Sequence, residues 1–314
     1  FVLGERRHLE VDMNEGMRVL SRRIGRIGRI GRRPRLFSSM RTLREDGFTV
    51  LETAVPAATA RQALAEVHSE LAELEASWAY SLRRFFDIVN SPHHRHSFPV
   101  QLTPGVLQTI RGVVGELDPS LFQEMVGKNG ILVELSALVT YPGAQSQALH
   151  TDIPFNALPE DKETGCPPLC SVFVALQDID RDMGPTMILK GTHQKGFHST
   201  IRATQESYDS SGNLEVLPVS TANNSAEEKE DGPSAAPFSD EQMFDAALPC
   251  TEGSVYVMDS RCAHAGGANV SASSRTVLCF AFQRDTQPME RARGFTYHIR
   301  AELEKEKLRS TSFQ

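Results

Sequence analysis

Leu64, Val67, Leu71 and Leu74 recur at three- and four-residue spacing in PAATARQALAEVHSELAELEASW. That period predicts an amphipathic helix. Pro56 stands near its start, where a missing N–H does little harm. Just before it, GFTVLE has the β-branched and aromatic content of a short strand. Two further helices are expected near 104–115 and 119–128. From Ile131 onward the pattern changes. ILVELSALVTY, CSVFVALQDI, TMILKG, SVYVMD and RTVLCFAFQ are short, apolar and separated by Gly, Pro, Asp and Ser. Short strands with turn signals between them suggest a sandwich or barrel. The expected fold class is therefore α+β, helices first and a β core after them.

Three stretches break this pattern. From Gly16 to Arg44 there is no Asp or Glu, yet there are ten arginines, several in the repeat RRIGRIGRIGRR. Glycines weaken any helix there, and a helical period would scatter the arginines around the cylinder. Arg-rich, Ser-containing, acid-free composition is the signature of an organelle transit peptide. Phe1 is not a methionine, and if translation starts at Met17 the segment reads as a mitochondrial presequence; a basic tail on a cytoplasmic protein is the alternative. Residues 1–44 are therefore set apart from a domain over 45–290. Within that domain, about 204–245 lacks periodicity and large apolar residues, and is expected to be a flexible insertion. Residues 291–314 carry mixed charge and are expected to form a helix or tail.

Composition narrows the class. The chain has 314 residues, 40% hydrophobic and 23% charged, long enough for a sizeable core. A net charge of -7 gives no nucleic-acid footprint, and no apolar run approaches a membrane span. Five cysteines, at 166, 170, 250, 262 and 279, read as reduced thiols rather than a disulfide framework or zinc site. Nothing in the pattern bears on oligomeric state.

The chemistry starts at QALHTDIPF. His150 and Asp152 lie two apart, so in an extended segment they share one face. Imidazole with carboxylate suits Fe(II), Zn or Mn, but the pair alone also fits a loop with a local hydrogen bond. A third ligand is available in CAHAGGAN, where His264 follows His150 by 114 residues. Two histidines and a carboxylate leave open positions on an iron, as in non-haem Fe(II) oxygenases. Arg275 begins the apolar strand RTVLCFAFQ and shares a face with Val277, Cys279 and Ala281. A guanidinium there is costly unless a carboxylate ligand pairs with it. The histidines of SPHHRHSF, at 93, 94 and 96, are read as a polar connector. Lys190, Lys195 and His198 are read as a solvated rim or contacts for an anionic substrate, and Trp78 as packing.

Four blocks, ALVTYPGAQSQALHTDIPF, SVFVALQDIDRDMGPTMILKGTHQKG, EGSVYVMDSRCAHAGGAN and SSRTVLCFAFQ, occur in this order. Together they resemble the phytanoyl-CoA dioxygenase family of Fe(II)/2-oxoglutarate-dependent oxygenases, over about residues 45–285. The resemblance implies a double-stranded β-helix (jelly roll, cupin-like) with N-terminal helices packed on one side. It implies Fe(II), 2-oxoglutarate and dioxygen, with ascorbate as an assay reductant, and hydroxylation of a small organic or acyl substrate with release of succinate and CO2. His150, Asp152 and His264 match the catalytic metal ligands, and Arg275 the partner of the distal carboxylate of 2-oxoglutarate. Phe173 and Leu138 fall at further cosubstrate contacts, and His193 at a turn-capping position. Some members carry a hydroxyl where this chain has Gly266; Asn269 or a water is the expected substitute. A true carboxylate at Asp152 disfavours halogenation. The family's substrates include acyl-CoA chains, small solutes and natural products. The C-terminal STSFQ lacks a Ser-Lys-Leu-like peroxisomal address. The competing reading is a non-catalytic metal- or ligand-binding protein on the same fold. A cupin-like metal protein without a 2-oxo acid leaves Arg275 unexplained.

Overall fold

The computed structural model describes residues 42–76, 94–117, 126–127, 129–147, 149–154, 169–194, 250–284 and 297–313. Residues 1–41 of the transit-like segment, the 204–245 insertion, Trp78, His93, Cys166, Lys195, His198 and most of the helix expected at 119–128 lie outside them, whereas Thr42–Arg44 are described and Leu43 is buried in the core. Helix α1, Ala57–Ala76, follows Pro56, whose carbonyl accepts from Thr59 N and Ala60 N at 2.8 and 3.0 Å. Val67 and Leu71 are buried, with Leu64 and Leu74 packed beside them, so the three/four spacing does mark the core face. Helix α2, Pro104–Glu116, starts with proline at its first turn. Its N-terminus is capped by α1: the Glu66 carboxylate accepts from Gly105 N at 2.9 Å and from the Thr103 hydroxyl.

Among the described residues eight strands follow the chain: β1 Phe48–Leu51, β2 Arg95–Pro99, β3 Ile131–Thr140, β4 Leu169–Ala175, β5 Thr186–Ile188, β6 Val255–Asp259, β7 His264–Gly266 and β8 Arg275–Gln283. Six form an antiparallel sheet in the order β1-β6-β4-β8-β3-β2, and β5 pairs with β7 in a second one. β8 is central and every residue is buried, which accounts for its near-continuous apolar sequence. One face of the large sheet packs on the helices: Leu135, Ala137, Val139, Leu278 and Phe280 join Val67, Ile110 and Val113 in one cluster. The opposite face meets the small sheet, where Ile188 packs with Phe48 and Met258.

One expectation needs correction. SPHHRHSF is not a plain connector, because β2 starts at Arg95 and pairs Arg95 with Thr140 and Ser97 with Leu138. His96 turns the other way, edge-on to Tyr141 with ring centroids 5.3 Å apart. The C-terminal segment is docked on the domain. Helix α3, Ala301–Glu306, buries Leu303, and Phe313 meets Phe282 edge-on at 5.9 Å. The preceding residues extend the β3 edge, with Leu135 N donating to His298 O at 3.0 Å. Cys170, Cys250, Cys262 and Cys279 are buried free thiols. Among the described residues no helix is long and apolar enough to cross a membrane.

Candidate metal and 2-oxo acid site

Gln147 and residues 149–153 run antiparallel to 260–266. His150 and His264 exchange both backbone hydrogen bonds, at 3.0 and 2.8 Å, and Asp152 N donates to Ser260 O at 3.1 Å. This pairing gathers ligands that lie 114 residues apart in the chain. One donor atom each from His150, Asp152 and His264 lie within 4.8 Å of one another. His264 Nε2 is 3.5 Å from Asp152 Oδ1, while its Nδ1 is 3.1 Å from Cys262 O. With Nδ1–H donating to that carbonyl, the Nε2 lone pair faces the other two donors. Ser171 Oγ donates to Asp152 Oδ2 at 3.2 Å and stands 2.7 Å from Ser260 Oγ, orienting the carboxylate. Two imidazole nitrogens and a carboxylate oxygen at this spacing fit one Fe(II)-like ion.

The turn that delivers His264 is pinned from both sides. Asp259 accepts from Arg261 N, Nε and Nη2, at 2.9, 3.0 and 2.7 Å. Ala263 N donates to Thr192 Oγ1 at 2.9 Å. His193, next along, places Nε2 3.1 Å from Arg44 O, a structural contact.

Arg275 is fully buried on the inner face of β8. Its guanidinium donates to Thr140 Oγ1 at 3.1 Å and to Gly184 O. Gly184 ends a 3-10 turn at φ 68°, a left-handed conformation that suits glycine. A Cβ there would meet the carbonyl oxygens of Gly267 and Ala268 at 2.4 and 2.5 Å, so the two loops touch backbone to backbone. Leu138 and Phe173 line the same face beside Val277 and Cys279, and the Phe173 ring lies 6.3 Å from that of His264.

Asn269 and Gly266 play different parts from those expected. The Asn269 amide nitrogen donates to Thr140 O and Ser273 O at 3.0 and 2.9 Å, and its oxygen accepts from Ser271, so the side chain is spent on its own loop. Gly266 N donates to Gln147 Oε1 at 2.8 Å. A Cβ on Gly266 would lie 3.4 Å from Arg95 Nη2 and 3.5 Å from Arg275 Nη2. Two guanidiniums therefore converge where a single hydroxyl was sought. Arg95 is also fully buried, donates to Gly267 O at 3.0 Å, and leaves Nε and Nη1 without a partner. Burial, then the neighbouring Arg275 charge, lowers its pKa to about 10.

Glu134 was also missed. It stands on the inner face of β3, opposite Ala281, directly after a bulge. Burial and the Asp152 charge raise its pKa to about 7, against a 2.9 Å hydrogen bond from Ser136 Oγ. A lone acid inside ILVELSAL was the signal available for it. For Arg95 it was the alternation Arg95, Ser97 against the apolar Phe98 and Val100.

The sequence model of the phytanoyl-CoA dioxygenase family matches residues 43–277. The chain belongs to that family. Among solved structures it is similar to the non-heme alpha ketoglutarate dependent epimerase SnoN from nogalamycin biosynthesis. Identity is 17% and the TM-score 0.51, over 80% of this chain and 84% of that one. A complex of SnoN with Fe3+, alpha ketoglutarate and nogalamycin RO gives 17%, a TM-score of 0.50 and the same coverage. At this identity the likeness speaks to the fold. No curated protein matches the chain.

Proposed function

We propose that this family member is an Fe(II)- and 2-oxoglutarate-dependent dioxygenase that hydroxylates a small organic substrate, with residues 45–290 as its catalytic domain. The observation that carries the proposal is the pairing of two sites on one sheet face. A His150–Asp152–His264 donor set lies beside two buried guanidiniums that converge on one point. Strand order β6-β4-β8-β3 facing β5-β7 supports reading the body as a double-stranded β-helix.

In this reading His150, Asp152 and His264 hold the iron, and Arg275 with Arg95 binds the distal carboxylate of 2-oxoglutarate. Iron, 2-oxoglutarate and dioxygen supply the oxidising power, with succinate and CO2 as coproducts. The protein supplies position. Cys262 O holds one proton on His264 Nδ1, and Ser171 turns Asp152 toward the two imidazoles. Leu138 and Phe173 give the cosubstrate an apolar, water-poor wall. The two arginines are poorly satisfied by the protein and well suited to a carboxylate, which accepts their N–H donors bidentately.

Anaerobic titration of the protein with Fe(II) and 2-oxoglutarate tests the proposal. The wild type is expected to develop the weak visible charge-transfer band of the ternary complex and, in air, to release succinate. A wild type that shows no band refutes it. The presequence reading of residues 1–44 is checked by fusing them to a fluorescent protein, where a diffuse cytosolic signal overturns it.

A further inference from the structure

Inward-facing positions on β3 run Thr140, Leu138, Ser136, Glu134. Thr140 belongs to the arginine end. Glu134, six residues away at about 3.4 Å each, stands roughly 20 Å along the strand. Across the sheet it pairs with Ala281, whose partner on β4 is Ser171, the residue that donates to Asp152, so it faces the ligand side of the interior. The bulge between Leu132 and Glu134 turns two consecutive side chains inward: Val133 packs with Ile153 and Leu169, and Glu134 faces the site.

Glu134 remains partly exposed although it lies between the sheets. Ser136 satisfies one carboxylate oxygen. Among the described residues the other has no donor, and no lysine or arginine pairs with the group. Apolar side chains border it, Ala281 opposite and Val133 beside it, but polar groups are close along the strand edge. His298 bridges the Glu134 backbone, and its Nδ1 lies 3.3 Å from Ser97 Oγ. A hydrocarbon chain laid here would desolvate the acid and offer it no hydrogen bond, which is costly.

We propose that Glu134 is a specificity-determining residue that accepts a hydrogen bond from a hydroxyl or ammonium group of the substrate. The substrate class is then a hydroxylated or aminated small molecule, and a plain acyl chain is disfavoured. This rests on the metal and 2-oxo acid reading above.

The test uses Zn(II) in place of iron, so that nothing turns over, with 2-oxoglutarate present. Calorimetric Kd values are measured for four probes on one six-carbon skeleton: hexane-1,6-diol, 6-aminohexan-1-ol, hexanoate and hexanoyl-CoA. The diol or the amino alcohol is expected to bind wild type more tightly than hexanoate and hexanoyl-CoA, and the tighter of the two identifies the donor. Glu134→Leu is expected to weaken that probe by at least about tenfold and to leave the other two no weaker. Zn(II)-dependent binding of 2-oxoglutarate by the variant is the control for its fold, and Glu134→Ala replaces it should that control fail. The proposal is overturned if neither donor-bearing probe binds a wild type that binds 2-oxoglutarate, or if removing Glu134 leaves their Kd unchanged. A wild type that does not bind 2-oxoglutarate sinks the underlying site reading instead.

Discussion

Replacing Arg95 with methionine should weaken ligand binding without lowering the stability of the ligand-free protein. Arg95 is fully buried next to another buried guanidinium, with two of its three nitrogens unpartnered. Desolvating such a charge costs several kcal/mol, and its one bond to Gly267 O returns about 1 kcal/mol. Exchanging a buried ion for an apolar side chain of similar volume is commonly neutral or stabilising by about 1–4 kcal/mol. After subtracting the lost bond, Arg95→Met is expected to leave the ligand-free protein as stable as wild type or more stable by up to about 3 kcal/mol. Binding should suffer. A charge-assisted hydrogen bond contributes about 1.5–3 kcal/mol, so the affinity for 2-oxoglutarate should fall roughly 10- to 150-fold. At a concentration near 100 Kd, 2-oxoglutarate stabilises the wild type by about 2.7 kcal/mol; a variant weakened about 30-fold gains under about 1 kcal/mol. Urea unfolding of the Zn(II)-loaded protein, with and without 2-oxoglutarate, reads both quantities. A variant less stable than wild type without ligand, yet retaining the full 2-oxoglutarate increment, would refute the reasoning.

Other outcomes follow from the same geometry. Asp152→Ala and His264→Ala should each weaken Fe(II) binding at least about 100-fold and abolish succinate formation; turnover at the wild-type rate in either removes that residue from the ligand set. Gly184→Ala combines a left-handed backbone with a Cβ driven into two carbonyl oxygens. It should cost about 2–4 kcal/mol and weaken 2-oxoglutarate binding by displacing the carbonyl that holds Arg275, and an unchanged urea midpoint would contradict this. Burial lowers the pKa of His298 from 6.5 to about 4. Between those values the unfolded chain takes up a proton that the folded chain refuses. The contribution is therefore whole above pH 6.5 and is lost as pH falls toward 4. His298→Gln should flatten the acid side of the stability profile, and parallel profiles for the two proteins would exclude His298 as the cause.

The strands after Ile131 and helix α1 were legible because each buries one face, or in β8 both, and leaves that period in the residues. The His150–Asp152–His264 cluster was legible not from the common pair of histidine and aspartate two apart, but from the second histidine farther along and the guanidinium of Arg275 inside an apolar run. β2 was not legible. Its inward face carries Arg95 and Ser97, so HHRHSF looks polar on both sides, although Phe98 and Val100 are buried. Asn269 misled for a related reason: its bonds to Thr140 O and Ser273 O depend on a loop conformation that no periodicity encodes. The mixed charges of AELEKEK likewise hid Leu303, one apolar residue in an otherwise solvated turn.

Strand β3 divides labour along its length. Its Thr140 end meets the arginines, its Glu134 end faces the metal ligands from the far side, and the bulge lies just beyond Glu134. Substitutions near the bulge can therefore repack what sits over the ligands while leaving the arginine end in register. In the proposed function, such a strand separates the choice of substrate from the holding of 2-oxoglutarate, because the two tasks fall at different ends of the same pleat.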